Sequence, residues 1–306
     1  MTSKDVDNNP IVVSISCITY NHAPFIRQCL DGFMMQKTDF AFEVLIHDDA
    51  STDGTTEIIK EYEARYPDVI KPIYEEENQW VKGRRGSAVF NFPRARGKYI
   101  ALCEGDDYWT DPLKLQKQVD FLEKNPEYVM CSHRFKQLDY ETGELKNDWY
   151  GQLENDIRYT LDTIVSFKEW YTQPLSVLYR REALKIDILL RHTYSRDIVL
   201  FYHLLKEGSG MMFNDVMGVY RKHSSGIWTS SSFAMQRTSD IKACLSIYDV
   251  EKSPKAFEML YNRAIQCRRM GLKYVYLNRN LLYETYRVIY KHYGLIKVLL
   301  TCVRTW

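Results

Sequence analysis

Three apolar segments, the first of them rich in β-branched residues, each end in a run of polar or acidic residues. The segments and their runs are Ile11–Thr19 before Tyr20 to His22, Phe42–His47 before Asp48 to Ser51, and 98–103 before Glu104 to Asp107. Helical spacing of apolar residues separates them, as in Phe25 to Met34. This alternation predicts an α/β fold with a mostly parallel, twisted sheet flanked by helices. Because ligands of such sheets bind beyond the carboxyl ends of the strands, the three runs are expected to converge on one edge.

The rest of the pattern divides the chain near residue 230. Val69–Tyr74 predicts a further strand, and Asp53 and Pro112 mark the starts of two helices. Beyond residue 128 we expect strands at 128–133, 135–140, 174–180 and 211–221, and helices at 181–191 and 196–206. After Trp228 the pattern is helical. We therefore expect one α/β domain at 1–229, in halves at 11–125 and 126–229, and a helical C-terminal region at 230–306.

Charge and cysteine content exclude several classes of protein. The net charge of +1 gives no basic surface for nucleic acid. The seven cysteines are odd in number and form no CxxC pair, which favours free thiols in a reducing compartment. The first ten residues are polar, and no stretch reaches the roughly 18 apolar residues of a membrane span. The sequence therefore predicts a cytoplasmic protein.

The run Glu104-Gly105-Asp106-Asp107 is a candidate metal site. Side chains alternate along an extended chain, so carboxylates one residue apart face the same way. Hard oxygen ligands suit Mg²⁺ or Mn²⁺, which completes its shell with substrate phosphates and water. The alternative is a solvated acidic turn before the helix near Pro112, and the two other polar strand ends weigh against it.

The second run, from Asp48 to Gly54, resembles a calcium loop at first sight. With Asp49 as position one, the twelfth position is Lys60, where a bidentate Glu is required. The calcium interpretation fails on that residue. Asp49 is therefore expected to face the strand-end cleft, where its carboxylate can accept a hydrogen bond from a base.

Together the three segments resemble the family 2 glycosyltransferases of GT-A fold, the nucleotide-diphospho-sugar transferase fold. The matching stretches are 14–21, 43–55 and 97–107, and order and spacing agree over roughly residues 11 to 125. A second stretch, Ser195 to Ile198 followed by 219–228, resembles the family's later catalytic segment. The resemblance implies an inverting transfer of a sugar from a nucleotide diphosphate donor, with UDP expected, to an acceptor hydroxyl. It makes 11–125 the half that binds the nucleotide sugar and 126–229 the acceptor half.

The resemblance also assigns roles to individual residues. Asp197 matches the catalytic base, and Asp106 the ligand of a Mn²⁺ or Mg²⁺ ion that bridges the donor phosphates. His223 matches a residue close to the metal or diphosphate. The nucleotide-binding residues expected from it are Tyr20, Asn21, Asp49 and Glu104. Contacts with the diphosphate or the acceptor are expected from Arg221 and Trp228.

Two features depart from the commonest family pattern. Glu104 stands where Asp is usual, which leaves contact with the ribose and contact with the metal both open. No QxxRW motif or transmembrane segment follows, which argues against a processive synthase. Two other functions stay open at this stage. A sugar-1-phosphate nucleotidyltransferase would carry a glycine-rich loop after the first strand, but the loop here is Tyr20 to Pro24 without glycine. A non-catalytic sugar-nucleotide or glycan-binding relative would lack the acidic motif or the later Asp.

Several residues have structural alternatives. Asp197 can equally cap the helix that begins beside it, Asn21 can serve loop geometry, and Trp109 is expected to anchor the core. Donor phosphate contacts are weighed for Arg84, Arg85 and Arg94. The C-terminal segment 295–306 suits either an amphipathic helix on the inner face of the membrane or a helix packed on the catalytic domain or in a homodimer. The expected partners are a nucleotide-sugar donor and a glycan or lipid-linked acceptor, without nucleic acid.

Overall fold

The computed structural model describes residues 10–83, 86–226, 228–269, 281 and 283–292. They fall into two compact units. The first is drawn from Met1–Thr160, Tyr171–Leu190 and Leu200–Lys222, and the second from Leu161–Trp170, Arg191–Val199 and His223–Trp306. One change between the units falls after Lys222, and the expected domain boundary near residue 230 stays a prediction. Two earlier segments also belong to the second unit, which no local sequence pattern indicates.

The first unit contains a ten-stranded mixed sheet. Its N-terminal part is parallel, in the order β3-β2-β1-β4. These strands are β1 (Ile11–Thr19), β2 (Ala41–Asp48), β3 (Ile70–Tyr74) and β4 (Tyr99–Leu102). The connecting helices are α1 (Ala23–Met34), α2 (Thr55–Arg65) and α3 (Ser87–Phe90), and α4 (Lys114–Lys124) follows later. The predicted α/β fold with flanking helices is confirmed.

The remaining strands make the sheet mixed rather than mostly parallel. The order continues from β4 through β9 (Leu178–Arg180), β6 (Tyr128–Asp139) and β10 (Ser209–Lys222) to β5 (Tyr108–Trp109). β9 is antiparallel to both neighbours, whereas β6 and β10 are parallel. β7 (Leu145–Asn147) pairs with β6, and β8 (Ile157–Tyr159) pairs with β10. The two strands expected at 128–133 and 135–140 are one continuous strand, because β10 pairs along nearly its whole length.

The core of the first unit lies on the inward residues of this sheet. Val13 and Ile15 of β1 are fully buried, as are Phe33 of α1 and Leu115 of α4. Trp109 is 2% exposed, and its indole Nε1 donates to the carbonyl of Leu175 at 2.8 Å. The expected anchoring role of Trp109 in the core is confirmed.

The described part of the second unit is helical. It contains α5 (Leu161–Ser166), the start of α7 (Asp197–Glu207), α8 (Phe233–Glu251) and α9 (Pro254–Arg269). α6 (Ile186–Leu189) belongs to the first unit. No helix among the described residues combines the length and apolar character needed to cross a bilayer. The segment 295–306, with its membrane or dimer alternatives, lies outside the described residues.

Candidate functional site

The loops that follow β1 and β2 are bonded to each other. Asn21 adopts a left-handed backbone conformation with φ of 54°. Its amide Oδ1 accepts the N–H of Thr52 at 2.8 Å, and its own N–H donates to Ser51 Oγ at 2.9 Å. These bonds give Asn21 a loop-shaping role. They also fix the backbone beside Tyr20, whose side chain is 45% exposed and available to a ligand.

The start of α2 strengthens the same junction. Asp53 accepts the N–H of Ala23 at 2.9 Å and that of Thr55 at 3.1 Å. The N-cap residue is Gly54, with φ of 100°, a backbone conformation that glycine adopts without strain. Asp53 therefore lies one residue before the N-cap and still accepts the N–H of Thr55, the first residue of α2. Its bond to Ala23 also joins the loop after β2 to the loop after β1.

Asp49 lies buried at the end of β2. Its carboxylate accepts the N–H of Gln79 at 2.6 Å and that of Trp80 at 3.2 Å, and it is 7% exposed. The carboxylate therefore holds the segment after β3 beside the strand ends. Its expected contact with a nucleobase stays a prediction, since each carboxylate oxygen can accept more than one hydrogen bond.

The acidic loop, defined here as Glu104 to Asp107, approaches the end of β1 closely. Gly105 N–H donates to the carbonyl of Ile18 at 3.0 Å. A Cβ atom on Gly105 would lie 2.7 Å from Thr19 Oγ1 and 3.0 Å from His22 Nδ1. Only glycine fits this approach without displacement. The predicted meeting of the three strand ends at one edge is therefore observed.

Three carboxylates of the acidic loop share a small space. Glu104, Asp106 and Asp107 each offer an oxygen, and these oxygens lie within 4.8 Å of one another. Asp107 is 2% exposed, and burial together with the charge of Asp106 raises its pKa well above the usual range. A divalent cation would relieve both effects, and oxygen donors of this kind suit Mg²⁺ or Mn²⁺. The residues therefore fit the expected metal.

Arg221, at the end of β10, braces the acidic loop from the side. Its N–H donates to Asp107 Oδ1 at 2.8 Å, and its guanidinium Nη1 donates to the carbonyl of Asp106 at 2.6 Å. Nη2 donates to Gln28 Oε1, and the guanidinium lies 4.4 Å from the centroid of the Tyr108 ring. At 3% exposed, Arg221 positions the loop, and its expected diphosphate contact stays a prediction.

Two residues near the acidic loop escaped the sequence analysis. His22 Nε2 lies 3.9 Å from Asp106 Oδ2, and Gln28 bonds Arg221. His22 stands inside a recognised polar run, which was a signal, whereas Gln28 on α1 has none. The guanidinium of Arg94 donates to the carbonyls of Ile46 and Lys71, both at 2.8 Å. The contact between Arg94 and a donor phosphate stays a prediction. Arg84 and Arg85 lie outside the described residues.

Asp197, His223 and Trp228 belong to the second unit. Asp197 Oδ1 accepts the N–H of Ile198 at 2.9 Å and lies 3.6 Å from Arg196 Nη2. His223 is buried, with Nδ1 2.8 Å from Ser225 Oγ. The guanidinium of Arg196 lies 4.2 Å from the centroid of the Trp228 ring. Arg196 thus contacts both Asp197 and Trp228, and the sequence analysis missed it.

Solved structures share this fold. S. aureus TarS 1-349 has a TM-score of 0.64 at 17% identity, over 91% of this chain and 81% of that chain, and TarS is also known with UDP-GlcNAc. The mannosyltransferase PcManGT from Pyrobaculum calidifontis, in complex with GDP-Man and Mn²⁺, has a TM-score of 0.55 at 18% identity, over 97% and 81% of the two chains. The fold is therefore that of the GT-A glycosyltransferases.

Within that class the chain is a member of glycosyl transferase family 2, whose model matches residues 14–186. The uncharacterised protein Rv1520 of Mycobacterium tuberculosis is 41% identical over 219 residues, which cover 72% of this chain and 61% of that protein. Escherichia coli WfaP, described as a UDP-Glc:alpha-D-GlcNAc-diphosphoundecaprenol beta-1,3-glucosyltransferase, is 30% identical over 129 residues, 42% of this chain and 48% of that protein. The match thus spans about three fifths of the length of Rv1520.

Proposed function

We propose that this chain transfers a sugar from a UDP-linked donor to an acceptor hydroxyl, with inversion and with a divalent cation. One observation carries the proposal: three strand ends meet at one edge, where Glu104, Asp106 and Asp107 bring carboxylate oxygens within 4.8 Å of one another. Such an ion is usually bound by one or two carboxylates and completes its shell with substrate phosphates and water, so this carboxylate set suits a metal–diphosphate complex. The UDP-GlcNAc complex of TarS and the name of WfaP support the choice of UDP.

Each donor-side residue has a distinct task in this proposal. The exposed ring of Tyr20 packs against the nucleobase, and the Asp49 carboxylate accepts its ring N–H. Asn21 joins the loop after β1 to the loop after β2 through its bond to Thr52. Glu104 reaches the ribose or the metal. Fixed donors and acceptors of this kind lower the entropic cost of orienting a substrate.

The acidic loop holds the cation in this proposal. Asp106 is the ligand, Glu104 and Asp107 complete the carboxylate set, and His223 is assigned to the metal or diphosphate by resemblance. A bound Mn²⁺ or Mg²⁺ offsets the negative charge that develops on the departing diphosphate. Arg221 keeps the loop in shape through the carbonyl of Asp106. Mn²⁺ in the PcManGT complex supports a divalent ion in a protein of this fold.

Asp197 is the proposed base. The attacking hydroxyl must lose its proton, and a carboxylate within hydrogen-bond reach can accept it. Arg196 Nη2 lies 3.6 Å from this carboxylate and helps to orient it. The Trp228 ring centroid lies 4.2 Å from the Arg196 guanidinium, and Trp228 is proposed as an acceptor contact. Inversion follows from attack on the side of the sugar opposite the leaving group.

The proposed setting is surface polysaccharide synthesis at the inner face of the cell membrane, with a glycan or lipid-linked acceptor. WfaP supports it, because its name gives a sugar on a diphosphoundecaprenol carrier as acceptor. The expected alternative of homodimerisation through the C-terminal helices stays a prediction.

A thermal-shift screen tests the donor and metal assignment. UDP-sugars should raise the melting temperature of the wild-type chain in Mn²⁺ and not in EDTA, because a ligand of the folded state stabilises it. Asp106→Asn should lose the metal-dependent rise. Asp120→Asn, an exposed carboxylate on α4, is the matched control and should keep it. A rise in the melting temperature of Asp106→Asn in Mn²⁺ that equals the wild-type rise would refute the proposed metal site.

A second experiment tests the base. Asp197→Asn should lower transfer by about 10²–10⁴-fold, the usual contribution of general-base catalysis, and leave the donor-induced thermal shift intact. Transfer within about threefold of wild type would show that Asp197 only begins α7, because such a change is far below that contribution.

A further inference from the structure

Three arginines of the second unit converge on one buried carboxylate. Arg196 Nη1 lies 2.9 Å from Asp240 Oδ1, and Arg237 Nη2 lies 3.4 Å from Asp240 Oδ2. Arg263 also donates to Oδ2. Arg237 and Asp240 belong to α8, Arg263 to α9, and Arg196 precedes α7. We call Arg196, Arg237, Asp240 and Arg263 the arginine cluster.

The cluster carries more positive than negative charge. Among the described residues, its guanidinium groups form ion pairs only with Asp240 and, through Arg196, with Asp197. Three cations thus face two carboxylates. Asp240 is 5% exposed and Arg263 is 7% exposed, so water screens the excess poorly. Burial, and then the charge of Arg263, lowers the pKa of Arg237.

The hydrogen-bond capacity of the cluster is also incompletely used. Within the described part of the chain, the Nε atoms of Arg237 and Arg263 are buried and lack an acceptor. A network that merely joined α8 to α9 would need one arginine for its one carboxylate. The side chains of Arg196 and Arg237 remain 21% and 17% exposed, so a ligand can reach their outer edges. Guanidinium groups match phosphoryl oxygens as paired donors.

We infer that the arginine cluster binds a phosphoryl group carried by the acceptor. The inference rests on the proposed function, because the cluster contacts the proposed base: Arg196 lies 3.6 Å from Asp197. A phosphorylated acceptor bound there would present its hydroxyl beside that carboxylate. The shared chemistry is a phosphate ester, supplied either by a lipid diphosphate or by a soluble sugar or polyol phosphate.

Phosphate binding is measurable without donor, metal or transfer. In EDTA and in the Asp106→Asn background, inorganic phosphate should raise the melting temperature by about 3 °C or more at ten times its Kd, relative to chloride at equal ionic strength. Arg237→Gln should lose this rise. Arg287→Gln, whose exposed side chain pairs with Glu284, is the matched control in the same unit and should keep it. EDTA and the loss of Asp106 remove the metal-dependent part of phosphate binding at the donor site, and the loss of the rise in Arg237→Gln then assigns the signal to the arginine cluster.

Two further measurements complete the test. Arg237→Lys keeps the charge and loses the paired donors, so it should weaken phosphate binding about tenfold even if Arg237→Gln fails to fold. The source of the phosphate ester is identified by measuring sugar transfer to two acceptors, a sugar phosphate in solution and a lipid diphosphate in vesicles. Transfer to the natural class of acceptor should fall more in Arg237→Lys than transfer to the other. Undiminished phosphate binding in Arg237→Lys, or no phosphate-specific rise in the wild type, would overturn the inference. Either result leaves the donor and metal assignments standing, because these are measured separately.

Discussion

The acidic loop and the arginine cluster are opposite in charge and alike in construction. In the first, three carboxylates surround a space braced by the guanidinium of Arg221. In the second, three guanidinium groups surround the carboxylate of Asp240. Each holds a surplus of one sign around a buried carboxylate, Asp107 in the first and Asp240 in the second, where unpaired charge is costly. The comparison teaches that an unbalanced cluster of this kind suits a ligand of the opposite sign, a divalent cation in one case and a phosphoryl group in the other.

The largest expected effect comes from removing the central carboxylate of the arginine cluster. Asp240→Asn should lower the free energy of unfolding by about 3–5 kcal/mol, because it removes the carboxylate shared by three guanidinium groups, among them the buried Arg263. Urea unfolding measures the loss, and phosphate should recover part of it. Asp249→Asn, an exposed carboxylate on the same helix that pairs with Lys252, should change stability little. If the free energy of unfolding fell by less than about 1 kcal/mol, the excess positive charge of the cluster would not be a significant cost to the folded state.

The corresponding change in the first unit removes the bracing cation. Arg221→Gln should cost about 2 kcal/mol, because hydrogen bonds to the carbonyl of Asp106 and to Gln28 disappear. The acidic loop then carries more uncompensated negative charge, so Mn²⁺ should restore more stability to the variant than it adds to the wild type. The control is Arg27→Gln, whose exposed side chain pairs with Glu61. Equal Mn²⁺ stabilisation of variant and wild type would break the parallel.

Lys114 shows what happens to a buried charge for which the described residues supply no counter-ion. Its ammonium is fully buried, donates to Gln118 Oε1 at 2.7 Å and lies 3.9 Å from the centroid of a Trp109 ring. Burial lowers its pKa to about 7. The ammonium of Lys114 therefore loses its proton near physiological pH and does not need an anionic ligand.

This produces the smallest predicted effect, a pH dependence. Between pH 7 and the usual lysine pKa the unfolded chain binds a proton that the folded chain has released, so stability rises with pH. The free energy of unfolding should increase by about 1–2 kcal/mol more from pH 7 to pH 9 in the wild type than in Lys114→Met. Parallel pH profiles of the two proteins would show that Lys114 stays charged.

Local sequence determined the part of the fold that carries the proposed donor site. β1 runs over Ile11–Thr19 as its apolar run predicts, and the polar runs after β1, β2 and β4 meet as expected. These elements follow one another as strand and helix, so short-range patterns suffice to place them. The second half of the sheet was predicted less well. β9 inserts antiparallel between β4 and β6, and that pairing depends on residues about 50 to 80 positions apart in the chain.

The sequence by itself determined the family, the acidic loop and the identity of its carboxylates, because these depend on residue types at short spacing. Only the tertiary structure decided which charges share a neighbourhood. Arg221 reaches the acidic loop across 115 positions, and Arg196 reaches Asp240 across 44. The apolar periodicity of the sequence does not predict such long-range contacts. The helices and strands that carry these side chains are brought together by packing of their apolar faces.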